Sequence, residues 1–492
     1  MLLKAKSLNL FTGRPVAIMN ANTAKDMSIS VSQRIRIKNS HEIIAIVDIA
    51  EGMISEDEIA LSMEVIKALG IKENSEVDVS LAPPPKTNHY ILEKMNGMEL
   101  SYEKLYAISE DIVNNTLTEA EVAYFVSGVY INGMTDREIA DLTKAMVAFG
   151  KRLDAKGNIY DKHCIGGIAG NRTTPLLVSI CAEAGLIIPK TSSRAITSAA
   201  GTADVIETIA NVEFSVDEIK KIIKKTNGCM VWGGALGLAP ADDKIIQIER
   251  IISLDPDAQL IASILAKKLA IGAKGILIDI PYGKSAKVKT KEEARKLGDR
   301  FKKIAKLLNL NLRIVLTDGS QPIGNGFGSV LEARDIIRVL KQTDDRPIDL
   351  EKKALYLSSV LLEMSGKAGK GKGLKMAEQI LKSGRAFKKF KEIIEAQGGR
   401  INGIENKLQP ARISFPVRAE KDGKIREIDN KKISSIAKAA GCPSDKDAGV
   451  YLCYHVGDSI KKGDILMRIF SETEEKLNFA KELNHRLRPI VY

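Results

Sequence analysis

Two short segments between residues 161 and 202 concentrate residue types that bind anions. The first, DKHCIGGIAGNRTT, begins at Asp161 and combines cations, hydroxyls and turn-forming glycines: Lys162, Gly166, Gly167, Gly170, Arg172, Thr173 and Thr174. Glycine lets a turn present its backbone N–H groups, and a helix that follows directly adds its own free N–H groups. We therefore predict an anion cradle here, with a glycine turn chosen only for its conformation as the alternative.

The second segment is rich in hydroxyls and also precedes a predicted helix. It contains Ser192, Ser193, Arg194, Thr197, Ser198 and Thr202. Two such turns can hold two faces of one phosphorylated ligand.

Two other glycine-rich strings resemble nucleotide-binding motifs only superficially. Gly366-KAGKGKG imitates a Walker A loop, but Gly373 stands where Ser or Thr must hold magnesium. Gly324-NGFG lacks the preceding strand and the distal acid of a dinucleotide site. We interpret both strings as loops.

The composition narrows the class of ligand. The chain has 492 residues, and 74 basic against 62 acidic side chains give a net charge of +12. A basic protein can bind nucleic acid, an acidic surface or small phosphorylated ligands. Only 5% of the residues are aromatic, and no stretch interleaves them with Lys or Arg as single-strand binders do. Small anions are therefore favoured over nucleic acid as partners.

The cysteines and the apolar runs indicate the cellular compartment in which we expect the protein to act. The five cysteines form no C-x-x-C pair, so neither a disulfide framework nor a zinc site is expected, and the five histidines leave little room for another metal centre. No apolar run approaches the ~18 residues of a membrane span, and the N-terminus lacks a secretory signal. We expect a soluble, cytoplasmic protein without a membrane partner.

At ~150 residues per domain the length favours about three domains, and the pattern predicts a multi-domain α/β fold of four parts. Residues 1–85 form a small N-terminal β barrel, with strands VAIMN, SISVS, RIRIK and EIIAIVDIA and a helix over Ser55–Gly70 that opens with the capping box Ser55-x-x-Glu58. A proline triplet at 83–85 ends this part. Its pattern resembles the double-psi-type barrels at the front of some AAA ATPases.

The second and third parts follow from helical and alternating patterns. Residues 86–155 form a helical domain, with capping boxes at Thr118 and Thr135, and we expect residues of about 240–270 to complete it. Residues 156–405 form a central α/β domain with a mixed sheet, with buried strands GILIDIPYG and LRIVLTDG and a helix from Ser215 to about Asn227.

The fourth part, residues 406–492, is made of short strands and turns. Its segment YHVGDSIKKGDILMRIFSE, which begins at Tyr454, resembles a hammerhead-type α+β domain of the barrel-sandwich kind. The Met-Lys or Asp-Lys context of biotin and lipoyl carriers is absent, so we interpret its lysines as structural.

The order of several blocks resembles the thymidine phosphorylase family. The string D-K-H-x-x-G-G at Asp161 and the string from Ser192 to Glu207, SSRAITSAAGTADVIE, match that family's signature region. Blocks that begin at Leu260, Leu316 and Ser383 resemble its later blocks in the same order. The likeness covers about residues 88–492, and only the N-terminal barrel lies outside it.

Departures from the family pattern bear on the substrate. Ile245 and Ile248 occupy the positions where pyrimidine-specific members carry a Tyr and an Arg that grip the base. Lys284 and Lys287 replace a small residue and an aromatic residue. These lysines form either a solvated basic loop or the counter-charge of an extra anion such as a 5′-phosphate. In this respect the chain resembles the nucleoside monophosphate branch of the family.

The resemblance implies phosphorolysis of AMP, with CMP and UMP as further candidate substrates. Phosphate attacks C1′, and adenine and ribose 1,5-bisphosphate leave; inorganic phosphate is a co-substrate, and no metal or organic cofactor is required. The alternatives are a pyrimidine nucleoside phosphorylase or, less favoured, a non-enzymatic RNA-binding module. The family pairs through its helical domain, so a homodimer or larger homo-oligomer is expected.

The resemblance also implies roles for single residues. The phosphate-binding set is Lys162, Cys164 (where serine is usual), Thr174 or its neighbour Thr173, Ser192 and Thr202. The nucleotide-binding set is Gly167, Ser193, Arg194, Ala195, Ile196, Thr197, Ser198, Thr202, Ser263 and Lys287. Asp255 is the expected proton donor to the leaving base, although an Asp before a Pro is also a common turn former. His163 is the second candidate donor, and Lys267 and Lys284 are secondary site candidates.

Overall fold

The computed structural model describes residues 1–153, 157–195 and 198–492. The chain divides into two compact units. The first comprises Met1–Phe149 and Pro240–Ser263, and the second comprises Gly150–Ala239 and Ile264–Tyr492.

The first unit begins with a six-stranded barrel. Its elements are β1 (Leu2–Ser7), β2 (Val16–Asn20), α1 (Ala21–Asp26), β3 (Arg34–Lys38), β4 (Glu42–Ala50), β5 (Glu58–Leu61), α2 (Met63–Leu69) and β6 (Glu76–Leu81). The barrel closes in the order β1-β5-β2-β4-β3-β6, with β1–β5 and β2–β4 parallel. Every second residue of β3 and β6 faces the core, as Ile35 and Val77 do, because side chains alternate along a strand.

Two of the elements predicted for this region are wrong. The helix over Ser55–Gly70 is wrong because residues 58–61 form β5, which pairs with β1 and β2, and the helix starts only at Met63. Pairing on both edges satisfies the backbone of β5 and outweighs the local capping signal. The strand SISVS is wrong because Ser28 and Ser32 both have positive φ, which belongs to turns.

Four helices follow the barrel: α3 (Thr87–Met95), α4 (Tyr102–Val113), α5 (Glu119–Asn132) and α6 (Asp136–Ala148). The capping boxes predicted at Thr118 and Thr135 are confirmed, at the starts of α5 and α6. Each box satisfies N–H groups that a helix start otherwise leaves free.

The chain then alternates between strands and helices. The elements are β7 (Tyr160–Cys164), α7 (Thr173–Glu183), β8 (Ile188–Ser192), α8 (Thr202–Glu207), α9 (Val216–Thr226), β9 (Gly228–Trp232), α10 (Pro240–Ile252), α11 (Asp257–Ala270), β10 (Gly275–Tyr282), α12 (Lys291–Leu307), β11 (Asn311–Asp318), β12 (Gly326–Phe327), α13 (Ser329–Lys341), α14 (Ile348–Met364), α15 (Gly373–Lys382), α16 (Arg385–Ala396) and α17 (Ile404–Lys407). The predicted strands at β10 and β11 and the helix α9 are confirmed.

Helix α10 returns to the first unit and packs against α4 and α5. Lys244 of α10 donates to the carbonyl oxygens of Ile112 and Val113 at 2.8 Å each. These carbonyls lie at the end of α4, where a helix has no internal partners for them.

The strands of the second unit that precede β12 pair in parallel. Strands β11, β10 and β7 form one sheet in that order, and β8 pairs with β9. The mixed sheet expected for the central region is therefore, within the described residues, a parallel one. Buried parallel strands need apolar residues on both faces, which explains why β10 is apolar at nearly every position, with Asp279 as the charged exception.

The remaining elements are β13 (Ile413–Arg418), β14 (Gly423–Lys424), β15 (Glu427–Ile428), α18 (Asn430–Ala439), β16 (Gly449–Leu452), β17 (Ser459–Ile460), β18 (Ile465–Ser471), α19 (Glu474–Leu487) and β19 (Ile490–Val491). An antiparallel sheet in the order β12-β16-β18-β13 is built from both the middle and the end of the chain. The domain boundaries placed after residues 85, 155 and 405 remain predictions. Along the described ranges, no helix is both long and apolar enough to cross a membrane.

One buried ion pair joins two helices of the first unit. The Lys94 ammonium on α3 lies 2.8 Å from a carboxylate oxygen of Glu138 on α6, and both side chains are almost wholly buried. The same carboxylate accepts the Leu100 N–H at 2.9 Å.

We expect Glu138→Ala to lower the free energy of unfolding by about 3–5 kcal/mol, because it leaves the Lys94 ammonium buried without its counter-charge. Urea unfolding followed by circular dichroism measures this loss. Glu110→Ala, an exposed change on α4, is the control. A loss for Glu138→Ala no larger than that of the control would contradict the prediction.

Candidate functional site

The two predicted anion turns lie at the same edge of the parallel strands. Strands β7 and β8 follow a parallel bridge between Ile159 and Ile187, and β10 pairs in parallel with β7. The chain therefore leaves all three strands at their carboxyl ends, where open α/β sheets bind their ligands. The loops there include the described residues 165–172, 193–195, 198–201 and 283–290.

The glycine turn after β7 is shaped by close backbone approach. Gly166, Gly167 and Gly170 all have positive φ. A Cβ on Gly167 would lie 2.3 Å from the backbone N of Lys287. No larger residue fits there, so the loop that carries Lys287 packs directly on the turn.

A group of buried charges underlies these loops. The Asp161 carboxylate lies 3.2 Å from the Lys190 ammonium and 2.5 Å from that of Lys268. The Lys190 ammonium also donates to the Lys162 carbonyl oxygen at 2.7 Å. This contact joins the middle of β7 to the middle of β8.

A second carboxylate, Asp279 of β10, completes the group. It lies 3.9 Å from the Lys162 ammonium and 3.3 Å from that of Lys353, and it accepts a 2.6 Å hydrogen bond from the Thr317 hydroxyl. We call the set of Asp161, Lys162, Lys190, Lys268, Asp279 and Lys353 the lysine cluster.

The lysine cluster holds four amines and two carboxylates, and each side chain is at most 9% exposed. With all amines protonated, this is a surplus of two positive charges. Burying unbalanced charge is costly, so a bound dianion would stabilise the cluster.

Hydroxyl groups without a protein partner accompany this charge. The Ser192 and Thr191 hydroxyls at the end of β8 are buried, and within the described part of the chain they find no hydrogen-bond partner. The Lys162 ammonium donates to the Thr173 hydroxyl at 3.1 Å, where α7 begins. Buried hydroxyls normally find partners, so a ligand would supply the missing ones.

Burial shifts the protonation of three groups. Desolvation lowers the pKa of Lys190 to about 7, although Asp161 opposes this shift. Desolvation and the nearby lysines, Lys268 above all, lower the pKa of His163 well below its usual range. Burial and Asp279 raise the pKa of the Cys164 thiol. At neutral pH His163 therefore carries no extra proton to donate, and Cys164 stays an uncharged thiol.

The hydroxyl-rich turn is held at both ends by one carboxylate. Asp204 on α8 accepts the N–H groups of Ala195 at 2.6 Å and of Gly201 at 2.7 Å. The Ser198 hydroxyl donates to the Ala200 carbonyl oxygen at 2.7 Å.

Arg194, predicted to contact the nucleotide, is engaged by protein groups. It makes two hydrogen bonds to Glu207, at 2.7 and 2.9 Å, and one to Glu213 at 3.0 Å. Its guanidinium also lies 4.8 Å from the ring centre of Trp232, and the bonds to Glu207 raise its pKa. In this structure Arg194 orders the turn.

Arg172 links the two turns. Its guanidinium donates to the Ala200 carbonyl oxygen of the second turn and pairs with the buried Glu332 of α13. Desolvation raises the pKa of Glu332 to about 7 even though Arg172 opposes the shift. Arg172, expected in the anion cradle, thus connects the loops to each other.

Most predicted site residues come together at this edge of the second unit. They are Lys162, His163 and Cys164 on β7, Gly167 in its turn, Thr174 on α7, Ser192 on β8, Ser193, Arg194, Ala195 and Ser198 in the second turn, Thr202 at the start of α8, and Lys287 after β10. Lys267 lies on α11 close enough to contribute to the lowered pKa of His163. Ile196 and Thr197 lie outside the described residues.

The structure places two predicted residues elsewhere, and a third, Lys284, lies in the loop after β10 with its side chain engaged at the surface. Asp255 lies exposed between α10 and α11 in the first unit. Ser263 also belongs to the first unit and donates to Asp242 at 2.9 Å. The Lys284 ammonium is exposed and pairs with Glu427 at 2.7 Å.

Sequence reasoning missed most of the lysine cluster and Asp204. A usable signal existed for Asp279, which stands alone within the apolar strand GILIDIPY. A carboxylate in a buried strand requires a buried partner, but the sequence does not indicate which lysine supplies it.

The string at Gly366 is confirmed as a loop up to Lys372, and α15 begins at Gly373. The loop interpretation of the string at Gly324 is wrong in part, because Gly326–Phe327 form β12 and pair with β16. In both strings carboxylates occupy backbone N–H groups. Gly371 and Gly373 donate to Glu363 at 3.0 and 3.2 Å. Asn325 and Gly326 donate to Asp335 at 2.7 and 2.8 Å.

Sequence profiles of three domain families match the chain. "Glycosyl transferase family, helical bundle domain" matches residues 88–150, and "Glycosyl transferase family, a/b domain" matches residues 156–387. "Pyrimidine nucleoside phosphorylase C-terminal domain" matches residues 424–489.

Curated relatives match over nearly the whole length. AMP phosphorylase of Methanocaldococcus jannaschii is 42% identical over 96% of this chain and 94% of its own. AMP phosphorylase of Thermococcus kodakarensis is 43% identical over 99% and 97%. A Legionella pneumophila protein named "Putative thymidine phosphorylase" is 44% identical over 94% and 89%.

A solved structure shares the fold. Anthranilate phosphoribosyltransferase from Thermus thermophilus aligns with a TM-score of 0.53 at 16% identity. The match covers 63% of this chain and 99% of that one.

The lysine cluster predicts pH-dependent binding of sulfate, a dianion that does not titrate between pH 6 and 9. Above pH 7 Lys190 loses its proton, so we expect the sulfate dissociation constant to rise by up to about tenfold per pH unit. Calorimetric titration at pH 6.5, 7.5 and 8.5 measures it. Lys190→Met should remove this dependence, and its persistence would assign the titration to another group, such as Glu332.

Proposed function

We propose that this chain, which belongs to the family of thymidine and pyrimidine nucleoside phosphorylases, phosphorolyses nucleoside 5′-monophosphates. The reaction converts AMP and inorganic phosphate into adenine and ribose 1,5-bisphosphate. The relatives named AMP phosphorylase, similar over almost their whole length, support this choice of substrate.

The observation that carries the proposal is the positive surplus of the lysine cluster beside unpartnered hydroxyls. Hydrogen phosphate is a dianion with several oxygens that accept hydrogen bonds. The Lys162 ammonium, the hydroxyls of Thr174 and Ser192 and the neutral Cys164 thiol supply the matching donors. A thiolate at position 164 would repel the anion, so the raised pKa of Cys164 favours binding.

The reaction brings two anions, inorganic phosphate and the nucleotide with its 5′-phosphate, next to a positive charge that develops on the ribose. A phosphate oxygen forms a bond to C1′ while the bond from C1′ to N9 breaks, and the electron pair of that bond goes to adenine. Positive charge develops on the ribose between these events. The negative charge of the bound phosphate stabilises the positive charge that develops on the ribose. Binding both substrates in one site also removes most of the entropic cost of bringing them together.

The leaving adenine needs a proton, and we propose Asp255 as its donor. The family resemblance implies this role, and the second candidate, His163, is less suited because desolvation and the nearby lysines hold its pKa well below the usual range. Thr202 and the second turn then hold the nucleotide, with Lys287 at its 5′-phosphate.

Several finer properties belong to the same proposal. We propose that CMP and UMP are also substrates, that no metal or organic cofactor takes part, and that the enzyme acts in the cytoplasm as a homodimer or larger homo-oligomer. We also assign the N-terminal barrel to the double-psi kind and the C-terminal part to the hammerhead kind.

A pyrimidine nucleoside phosphorylase is the second candidate, and the name of the Legionella relative favours it. Against it, the two positions of the pyrimidine clamp are the buried isoleucines Ile245 and Ile248, which offer a base no hydrogen bond. No described contact favours the RNA-binding alternative.

Release of free base separates these candidates. We expect adenine release from AMP that requires phosphate and persists in EDTA, with little release from adenosine and none of thymine from thymidine. Chromatographic assay of the free bases measures it. Cleavage of thymidine or adenosine but not AMP would refute nucleotide phosphorolysis, and turnover that EDTA abolishes would refute metal independence.

Lys287 and Lys284 form a matched pair for testing the 5′-phosphate contact. A lost charge-assisted hydrogen bond costs about 1.5–3 kcal/mol, so we expect Lys287→Met to lower kcat/KM for AMP roughly 10- to 100-fold. Lys284→Met should change it little, because Lys284 is paired with Glu427 at the surface. Steady-state kinetics measure both, and a larger effect of Lys284→Met would contradict the assignment.

A further inference from the structure

Asn430, the first residue of α18, is a buried amide that contacts three separate loops. Its side-chain oxygen accepts the Ala169 N–H at 3.0 Å. Its side-chain nitrogen donates to the Ser285 hydroxyl at 3.0 Å and to the Gly319 carbonyl oxygen at 3.2 Å. Its backbone N–H donates to the same Ser285 hydroxyl at 3.1 Å.

These partners determine the orientation of the amide. The oxygen faces an N–H group and the nitrogen faces a carbonyl oxygen, so the opposite orientation would place like groups against each other. The side chain is 1% exposed, so water cannot replace these bonds at low cost.

The three loops follow the carboxyl ends of three adjacent parallel strands. Ala169 lies in the glycine turn after β7, Ser285 in the loop after β10 that carries Lys287, and Gly319 directly after β11. The Ala169 carbonyl oxygen accepts the Ile323 N–H at 3.0 Å, so both sides of this peptide are held. The backbone of the Lys287 loop packs on Gly167, two residues before Ala169.

We propose that Asn430 is a positioning residue through which the C-terminal part of the chain sets the geometry of the anion site. The proposal rests on the proposed function for its catalytic consequence. Asn430 touches neither the lysine cluster nor a predicted substrate contact by any hydrogen bond described. It acts through the backbone of the glycine turn and of the Lys287 loop.

The physical reason is the cost of unpaired buried groups. Without the Asn430 amide, the Ala169 N–H and the Gly319 carbonyl oxygen lose their partner in a buried site. The loops then sample other conformations, and a displacement of about 1 Å at a reacting group can cost 100-fold in rate.

Two substitutions separate the contacts of the amide. Asn430→Ala removes all three side-chain bonds. Asn430→Asp keeps an acceptor for Ala169 but places a carboxylate against the Gly319 carbonyl oxygen. Asn478→Ala, at an exposed position on α19 in the same part of the chain, is the matched control.

Hydrogen exchange on the full chain, read by mass spectrometry, reports the loops directly. For Asn430→Ala we expect faster exchange in peptides over 165–172, 283–290 and 319–324, and unchanged exchange in the barrel. For Asn430→Asp we expect faster exchange over 319–324 with Ala169 still protected. Unchanged exchange in all three peptides would overturn the proposal.

Binding and kinetics test the functional consequence. We expect Asn430→Ala to weaken sulfate binding and to lower kcat/KM for AMP and phosphate by about 10- to 100-fold, mainly through KM. A lowered melting temperature with unchanged sulfate affinity and KM would indicate a merely structural role and refute the proposal.

A second variant, Ser285→Ala, tests the proposal if Asn430→Ala does not fold. Ser285→Ala keeps the Asn430 side chain and its bonds to Ala169 and Gly319, and it removes the hydroxyl to which the Asn430 side chain and backbone N–H donate. It should therefore speed exchange over 283–290 and raise KM for AMP. If the unmodified chain releases no adenine, the proposed function fails, while exchange and sulfate affinity still decide the role of Asn430.

Discussion

The balance of buried charge around Asp161 and Asp279 is the constraint on which the site depends. Two carboxylates cannot neutralise four lysines, and the low polarity of the interior makes the surplus costly. The protein limits this cost by lowering the pKa of Lys190 to about 7. On the proposed function, bound hydrogen phosphate would offset the remaining positive charge. The same buried charges that are costly to the fold would then be the source of affinity for phosphate.

The loops above these charges are held by polar side chains from distant parts of the chain. Asp204 closes the second turn on itself, Arg172 joins it to the glycine turn, and Asn430 joins the glycine turn to the loops after β10 and β11. Each acts on backbone groups, which have fewer degrees of freedom than side chains. A site for small anions needs such rigidity, because its affinity depends on N–H groups and cations at set distances.

Local patterns predicted the elements well where local physics decides them. The capping boxes at Thr118 and Thr135 and the apolar strands β10 and β11 formed as predicted. The helix expected from Ser55 failed because β5 gains partners on both edges from residues far along the chain. The glycine turn was identified from its residues alone, since positive φ and close backbone approach both require glycine.

The sequence by itself determined the family, and it predicted the anionic class of ligand and the two turns proposed to bind it, because glycines, hydroxyls and their order along the chain carry that information. Only the tertiary structure decided which charges remain available. In the folded chain Arg194 is bonded to glutamates, and Lys284 is paired with Glu427. The ammonium groups of Lys190, Lys268 and Lys353 lie beside the buried carboxylates beneath the loops of the site. The contact between Asn430 and Ala169 spans 261 residues. Ion pairing and desolvation depend on distance in space, which the spacing of residues in a sequence does not specify.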